Sequence, residues 1–476
     1  MAVRSRLVPS ASAVDEDGTA VHQDVPAEGV PAEGAAGRGR WWLPAIVVVG
    51  VLLRLAWALY AARPPVGLHD PTFYTIFGES LAAGDGYRLP DGQPTAYYPV
   101  GYPAFLGALF WLADHTPLPD DRVGLVVALN LVASALSIVL VERIGTRLFD
   151  RRIGLVAAAA FAVMPNLVYH AALALTETVF NAIALAAVLL VVATDWRRRP
   201  LLVLLGFGVL VGVAALVRPP SLLFLPVLVL AGWRAGGWGW RESIRSLTLP
   251  GVAALVVILP WTLRNVDVME APILLSSNVG DNLCIGHNPE ATGAFQMPPS
   301  CLDGYEDLVR PEYEVARDTD GRAKAFEFIR EHPAEQLRLV PLRAYHTFKN
   351  DTDGLFAAES YGDDRFIDEG VLPGLELAAN VTFFTSLVLG VASAVLLRRR
   401  DGERIGRDPG RTFVVLAALS LAITPLAFFG DVRFHVPVVP FLVIGAAALV
   451  VAALDRRRPP SPSATGGGRR AWTPRR

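Results

Sequence analysis

Long apolar stretches, most of them close to the length of a membrane-spanning helix, constrain this chain more than any other feature. A helix needs about 20 consecutive apolar residues to cross a bilayer. Hydrophobic residues make up 53% of the 476 residues and charged residues only 18%, against about 25% charged residues in soluble domains. The sequence therefore predicts an all-α polytopic membrane protein with about ten transmembrane helices. The predicted spans are 41–61, 122–142, 152–168, 172–193, 201–217, 219–232, 247–263, 375–397, 412–429 and 434–454.

Arginine clusters in alternate connections between these stretches predict the orientation, because cytoplasmic loops are enriched in Lys and Arg. Arg40 precedes the first span and Arg456 follows the last, so we expect both termini in the cytoplasm and an even number of spans. The basic residues are spread along the chain, and we expect no nucleic-acid partner. The clusters are Arg143, Arg147, Arg151 and Arg152; Arg197, Arg198 and Arg199; Arg234, Arg241 and Arg245; and Arg398, Arg399 and Arg400.

The ends of the chain differ from the apolar middle. Residues 1–40 contain few large apolar side chains and are predicted to be a disordered cytoplasmic tail, and we expect a second such tail at 455–476. The stretch that begins at Trp41 is too long for a cleavable signal peptide and is interpreted as an uncleaved first span. Between the tails we divide the chain into a transmembrane catalytic module at 41–263, an extracytoplasmic loop domain at 264–374 and C-terminal transmembrane helices at 375–454. We expect the protein in the plasma membrane.

Two connections on the predicted outer side are far longer than ordinary loops, and long loops usually carry function. The first, 62–121, contains two helical patterns, Pro71 to Ala83 and Pro99 to Ala113, which are short for a crossing and are expected to lie along the membrane surface. The second, 264–374, begins with a turn-rich segment at 274–282 that is compatible with a strand and ends with helical runs at 322–348. It is predicted to be a small mixed domain.

The chain has two cysteines, and both lie in the second outer loop. Cys284 and Cys301 are candidates for a disulfide, because an extracytoplasmic compartment allows the bond to persist and the loop that it closes is short. The alternative is a pair of unbonded, buried thiols.

Two carboxylates are candidate catalytic groups. Asp70 lies just beyond the first span, where it is placed to accept a proton from an attacking hydroxyl; the competing interpretation is a helix N-cap followed by Pro71. Glu177 lies at the outer end of the 172–193 span, and ionisable groups at membrane depth are usually functional. A position in the first turn of a helix also accounts for its charge without a catalytic role.

Three arginines at the outer ends of spans are candidate ligands of a lipid phosphate: Arg218, Arg264 and Arg433. Their guanidinium groups match phosphate oxygens in bidentate geometry. Each arginine taken alone is equally compatible with snorkelling towards lipid headgroups. Nearby, Tyr97, Tyr98 and Tyr102 alternate with prolines, which suits either a sugar-binding surface or an interfacial aromatic belt.

Metal binding has little support in the sequence. The histidines are scattered singly, at His69, His170, His287 and His435, and no pair has the spacing of metal ligands on one helix. We therefore assign no metal-binding residue, although the fold could bring some of these histidines close to Asp70. Whether the protein uses a divalent metal cofactor stays open.

In this order, the motifs resemble those of membrane glycosyltransferases of the GT-C fold, the group with the protein O-mannosyltransferases and the aminoarabinose transferase of lipid A. The resemblance implies a polyprenyl-phosphate-linked sugar as donor, an extracytoplasmic glycan, lipid or protein as acceptor, and Asp70 as general base. It also makes Tyr74 and Asn265 candidate substrate contacts beside the three tyrosines. The resemblance rests on Asp70, Tyr74, Gly84-Asp85-Gly86-Tyr87, Pro94 to Pro103, Thr176-Glu177, Val217-Arg218-Pro219, Pro260-Trp261, Arg264-Asn265 and Arg433-Phe434-His435-Val436-Pro437.

The chain departs from both of these relatives at positions that bear on the acceptor. Protein O-mannosyltransferases carry two adjacent acidic residues where this chain has Asp70 and Pro71, and the aminoarabinose transferase has a lysine where Tyr98 stands. The resemblance thus implies hexosyl or pentosyl transfer without defining the sugar or its acceptor. The alternatives are a transporter or flippase of lipid-linked sugars and a membrane scaffold.

Overall fold

The computed structural model describes residues 41–196, 199–302, 311–362, 365–396 and 408–457. Within these ranges the protein is helical, with two isolated β-bridges, Arg88 to Pro94 and Ala294 to Gly430, and no strand. The predicted all-α fold class is confirmed. Three sets of predictions lie outside the described residues: the tail at 1–40, the tail at 455–476 beyond Arg457, and the arginine clusters at Arg197–Arg198 and 398–400.

The described part of the first half, from residue 41 on, forms ten α-helices, several of which begin at a charged residue or a proline. They are α1 (Trp42–Ala61), α2 (Asp70–Ala83), α3 (Gly101–Asp114), α4 (Arg122–Leu148), α5 (Arg151–Ala162), α6 (Pro165–Tyr169), α7 (Thr176–Val192), α8 (Leu201–Val217), α9 (Phe224–Ala235) and α10 (Trp240–Val268). Short 3-10 helices at His170–Ala172 and Pro219–Leu223 precede α7 and α9.

The second half begins with short helices and returns to long apolar ones. They are α11 (Val279–Gly286), α12 (Pro299–Leu302), α13 (Pro311–Glu331), α14 (Pro333–Phe348), α15 (Asp353–Ser360), α16 (Leu372–Leu396), α17 (Pro409–Ile423) and α18 (Val439–Arg456). Two further 3-10 helices, Thr424–Ala427 and Val432–Val438, join α17 to α18.

Ten spans are not confirmed, although every predicted span coincides with a helix or a pair of helices. Among the described residues, six helices are long and apolar enough to cross a membrane, and the pair α5 and α6, bent by 61°, makes a seventh if it forms one broken span. The remaining apolar helices are shorter: α7, α8 and the combination of Pro219–Leu223 with α9. The predicted orientation stays a prediction.

The prediction of a mixed domain in the second outer loop is wrong. Residues 274–282 form no strand, because their polar groups bond to other elements. The Ser277 amide donates to the Ala96 carbonyl at 2.9 Å, and the Ser277 hydroxyl donates to the Glu314 carboxylate. The rest of the loop consists of helices joined by turns and irregular segments where the structure describes it, and Cys284 and Cys301 are joined in a disulfide.

Both predicted helices of the first loop are present as α2 and α3, which pack against each other. Gly101, at the start of α3, lies against the backbone of Leu216 in α8, where a Cβ atom would come within 2.6 Å of the Leu216 carbonyl oxygen. This close approach places the tyrosine-rich segment before α3 beside the end of α8 and therefore beside Arg218. The expected position of α2 and α3 along the membrane surface stays a prediction.

Candidate active site

Asp70 is the first residue of α2, and His69 occupies the N-cap position. The backbone turns into the helix with Pro71 in the first turn, as the sequence suggests, but the Asp70 side chain does not cap the helix. Its carboxylate is instead directed towards two partners from distant segments. The N-cap interpretation is therefore wrong for this side chain, and the carboxylate is partly exposed, at 29%.

Arg433 is the first of these partners. Its Nη1 donates to Asp70 Oδ2 at 2.7 Å and its Nε donates to Glu177 Oε1 at 3.0 Å, so one guanidinium group bridges two carboxylates. The backbone at this point is held by Asp431, whose carboxylate accepts a hydrogen bond from the Arg433 amide at 2.9 Å. Burial raises the pKa of Asp431. The Asp431 cap fixes the start of the 3-10 helix that carries Arg433.

Glu177 lies at the second position of α7 and is fully buried. Besides Arg433, it accepts a hydrogen bond from Nη1 of Arg218 at 2.6 Å. Arg218 stands where α8 ends, immediately before the proline pair that starts the next 3-10 helix. Two of the three arginines predicted at outer span ends therefore converge on Glu177. Within the described residues these bonds leave Nη2 of both guanidinium groups without a protein partner.

Tyr98 is the second partner of Asp70 and donates its hydroxyl hydrogen to Oδ1 at 2.8 Å. Burial, reinforced by the charge of Asp70, raises the pKa of Tyr98 far above its ordinary value, so the phenol stays a neutral donor. Tyr74 packs edge-on against the rings of Tyr98 and Tyr102, at centroid distances of 5.2 and 5.4 Å. Tyr102 itself is fully buried.

Tyr97 points away from Asp70 and donates to Asp281 Oδ2 at 2.7 Å. Burial and the charge of Asp281 raise its pKa well above the ordinary value. The two adjacent tyrosines therefore serve different loops: Tyr98 contacts the Asp70 carboxylate, and Tyr97 ties the first outer loop to the second.

Arg264 and Asn265 have partners outside the Asp70 cluster. Arg264 donates to the backbone carbonyls of Thr95 and Tyr87, both at 2.7 Å. Asn265 is fully buried and donates to the Ile273 carbonyl at 3.0 Å. In this structure Arg264 holds the first outer loop, and it makes no bond to Glu177, the carboxylate that joins Arg218 to Arg433.

Glu314 in α13 is a buried carboxylate that the sequence does not single out. It accepts hydrogen bonds from the Thr95 hydroxyl at 2.7 Å, from the Ala96 amide at 2.8 Å and from the Ser277 hydroxyl at 2.5 Å. Burial raises the pKa of Glu314, and these donors offset that effect only partly. The contacts fix the loop that carries Tyr98, so Glu314 supports the Asp70 site from a distance.

A second buried polar cluster lies beside the site, and the sequence did not predict it. His170 Nε2 lies 2.9 Å from Asp353 Oδ2, and His435 Nε2 lies 2.8 Å from Asp351 Oδ1. The Asn166 amide donates to both carboxylates at 2.7 Å. Folding therefore gathers two of the scattered histidines with Asp351 and Asp353, and not with Asp70. Since His435 follows Arg433 by two residues, this cluster anchors the segment that carries the arginine.

The described residues contain no group of three or more His, Cys, Asp or Glu side chains arranged to hold a metal ion. The charge of Asp70 is balanced by Arg433, which lies 2.7 Å away.

Sequence and structure comparisons agree with this architecture. Residues 110–263 match the family described as dolichyl-phosphate-mannose-protein mannosyltransferase, a segment that contains Glu177 and Arg218. No curated protein matches the sequence significantly. The crystal structure of the Archaeoglobus fulgidus oligosaccharyltransferase with zinc and sulfate overlays with a TM-score of 0.50 at 14% identity, covering 87% of this chain and 49% of that one. Its apo form gives a TM-score of 0.51 at 11% identity, covering 88% and 51%.

The chain has the GT-C fold. This GT-C chain spans about half the length of the archaeal oligosaccharyltransferase that it matches. The chain also matches the crystal structure of ArnT from Cupriavidus metallidurans bound to undecaprenyl phosphate, at 15% identity and a TM-score of 0.41. The match covers 88% of this chain and 81% of the ArnT chain. The GT-C arrangement brings Asp70 in the first outer loop together with the ends of α7, α8 and the segment before α18.

Proposed function

We propose that the protein is a glycosyltransferase that moves a sugar from a polyprenyl-phosphate-linked donor to an acceptor on the extracytoplasmic side of the membrane. The observation that carries the proposal is the bridge of Arg433 between Asp70 and Glu177, with Arg218 on the same glutamate. A partly exposed carboxylate beside two guanidinium groups supplies a base and a phosphate site in one place. The match of 110–263 to a mannosyltransferase family supports the same chemistry.

Asp70 is the proposed general base. It would accept the proton of the acceptor hydroxyl while the oxygen forms its bond to the anomeric carbon of the donor sugar. The bond between that carbon and the phosphate oxygen breaks, and the polyprenyl phosphate leaves with the electron pair. One displacement of this kind inverts the anomeric carbon and needs no covalent enzyme intermediate.

Arg218 and Arg433 are the proposed phosphate ligands, since a phosphate leaving group needs no proton when cations hold it. Each has Nη2 without a protein partner among the described residues. A donor phosphate that draws Arg433 towards itself also loosens the ion pair with Asp70, which frees a carboxylate oxygen to accept the proton of the acceptor hydroxyl.

Glu177 receives a positioning role in this proposal in place of direct catalysis. Its Oε1 accepts from both guanidinium groups and its side chain is fully buried. A buried carboxylate between two cations fixes their separation and offsets their repulsion while the site is empty. Arg264 and the tyrosines other than Tyr98 are left to shape the loops around the site.

The test uses the full chain, purified and reconstituted, with a panel of radiolabelled polyprenyl-phosphate hexoses and pentoses and with cell-envelope extract as the acceptor source. Transfer of label from one donor by wild type, and its loss in Asp70→Asn, supports the proposal. If no donor yields transfer, or if the protein instead moves lipid-linked sugars across liposome membranes and Asp70→Asn does so equally well, the enzyme is ruled out in favour of a flippase.

A further inference from the structure

A cavity of about 460 Å³ lies along α2. Its wall includes Thr72, Thr75, Ile76 and Glu79, which recur at helical spacing on one face of α2. Sites for small molecules typically enclose about 300–1,000 Å³. The cavity therefore has room for a ligand of one or a few sugar rings.

Three parts of the wall connect the cavity to the Asp70 cluster. Pro71 follows Asp70 directly, and Ala174 lies three residues before Glu177. Tyr361 contributes from the end of α15, and its ring packs on that of His69 at a centroid distance of 4.7 Å. Residues close in sequence to both site carboxylates thus form part of one wall.

The cationic side chains of this wall are already engaged. Arg122 pairs with Asp114 at 2.8 Å and with Asp120 at 3.4 Å. Arg63 stacks on Phe366, with its guanidinium carbon 3.5 Å from the ring centroid. Both arginines of the wall are therefore held by neighbouring side chains of the protein.

Two of the three anionic side chains of the wall are not engaged in this way, whereas the third, Asp120, pairs with Arg122. Glu79 and Asp121 are exposed and make no hydrogen bond or ion pair with any described residue. Carboxylates accept hydrogen bonds from hydroxyl groups and repel phosphate and other anions. The charge available to a ligand in the cavity is therefore negative, opposite to the charge offered at the donor phosphate site.

We infer that this cavity, beside Asp70 and rimmed by Glu79 and Asp121, binds the acceptor, and that the acceptor is an uncharged, hydroxyl-rich glycan. The inference rests on the proposed function and adds the class of its second substrate. Vicinal hydroxyls of a neutral sugar match carboxylate oxygens, and the ring of Tyr361 offers an apolar face for stacking on a sugar. The reacting hydroxyl enters from this side, and the donor phosphate lies at the two arginines.

The experiment uses the reconstituted full chain, the labelled donor that wild type accepts, and cell-envelope extract as acceptor. The labelled product is isolated, digested with protease and separated by charge. The inference predicts that the label resides on a neutral glycan terminus that resists protease. Label on a peptide, or on a phosphorylated or uronic acid-bearing terminus, overturns it.

The rim is tested with Glu79→Gln, Asp121→Asn and the double variant, with Glu290→Gln as a matched control on an exposed carboxylate outside the cavity. The double variant is expected to need about tenfold more extract for half-maximal transfer. Its KM for donor and its thermal unfolding should be unchanged. Transfer with unchanged half-saturation overturns the acceptor pocket alone. Absence of transfer by wild type overturns the proposed function as well, so the two failures are distinguishable.

Discussion

Nη1 of Arg433 lies 2.7 Å from Oδ2 of Asp70, a pair of residues separated by 363 positions in sequence. The contact joins the first outer loop to the segment just before the last helix. The same guanidinium group reaches Glu177, so the loop carboxylate and the buried carboxylate share one cation. The proposed chemistry depends on this sharing, because the donor phosphate competes for the arginine that otherwise holds the base.

Glu177→Gln is expected to destabilise the protein and to weaken donor binding together. The substitution leaves Arg218 and Arg433 facing each other without a buried counter-charge, and loss of one partner from a buried ion pair costs about 3–5 kcal/mol. Thermal unfolding of the reconstituted protein and the KM for donor measure the two effects. Glu369→Gln, at an exposed position of the second loop, is the matched control. A variant with normal donor KM would contradict the positioning role.

Arg218→Ala is expected to raise the KM for donor by about 10- to 100-fold, since a hydrogen bond to a charged group contributes about 1.5–3 kcal/mol. Arg218→Lys should recover part of this loss, because it restores the charge without the bidentate fork. Arg88→Ala, on an exposed loop arginine, serves as control. Equal donor KM in wild type and Arg218→Ala would remove Arg218 from the phosphate site.

The four charged residues of the site could be selected from the sequence, because each lies at or just beyond the predicted outer end of a span. The pairing of these residues could not be predicted, since it depends on how α2, α7, α8 and the segment before α18 pack. Arg264 also lies at the end of a predicted span, as Arg218 does, yet it donates hydrogen bonds to the carbonyls of Tyr87 and Thr95. Hydrophobic periodicity does not predict the path of that loop.

The fold was predictable to a similar extent. Apolar length and periodicity gave the helical class and the two helices of the first loop. In the second loop they gave the helical runs at 322–348, which fall in α13 and α14. They did not exclude a strand at 274–282, where polar groups bond to Glu314 and to the Ala96 carbonyl in place of a neighbouring strand. They overstated the length of the 172–193 span, which forms α7 at Thr176–Val192, whereas α8 has the bounds of the predicted 201–217 span. Both helices are shorter than those long enough to cross a membrane.

Glu314 is expected to make stability depend on pH in a defined direction. Burial raises its pKa in the folded protein, so the unfolded chain ionises first as pH rises from about 4.5. The wild type therefore loses stability from this group between its ordinary pKa and the raised folded one. Relative to wild type, Glu314→Gln should become more stable as pH increases over that interval, measured by thermal unfolding from pH 4 to 8. A difference that is flat with pH, or that falls, would contradict the raised pKa.

Removal of the disulfide is expected to lower stability by about 3 kcal/mol on the loop-entropy estimate, since Cys284 and Cys301 are 17 residues apart. The double variant Cys284→Ser, Cys301→Ser should unfold at lower temperature, with the KM for donor unchanged, because neither cysteine contacts the Asp70 cluster. Reduction of wild type should reproduce the shift, and the double variant should show none on reduction. An identical unfolding temperature with and without the bond would contradict this prediction.

The proposed reaction is tested most directly by single-turnover transfer at saturating donor and acceptor, comparing wild type, Asp70→Asn and the exposed-loop control Asp85→Asn. Loss of a general base slows transfer by about 10²–10⁴-fold. We predict a decrease of that size for Asp70→Asn alone, with unfolding temperature and donor KM close to wild type. Transfer by Asp70→Asn at the wild-type rate would show that this carboxylate does not accept the proton, and the mechanism would fail.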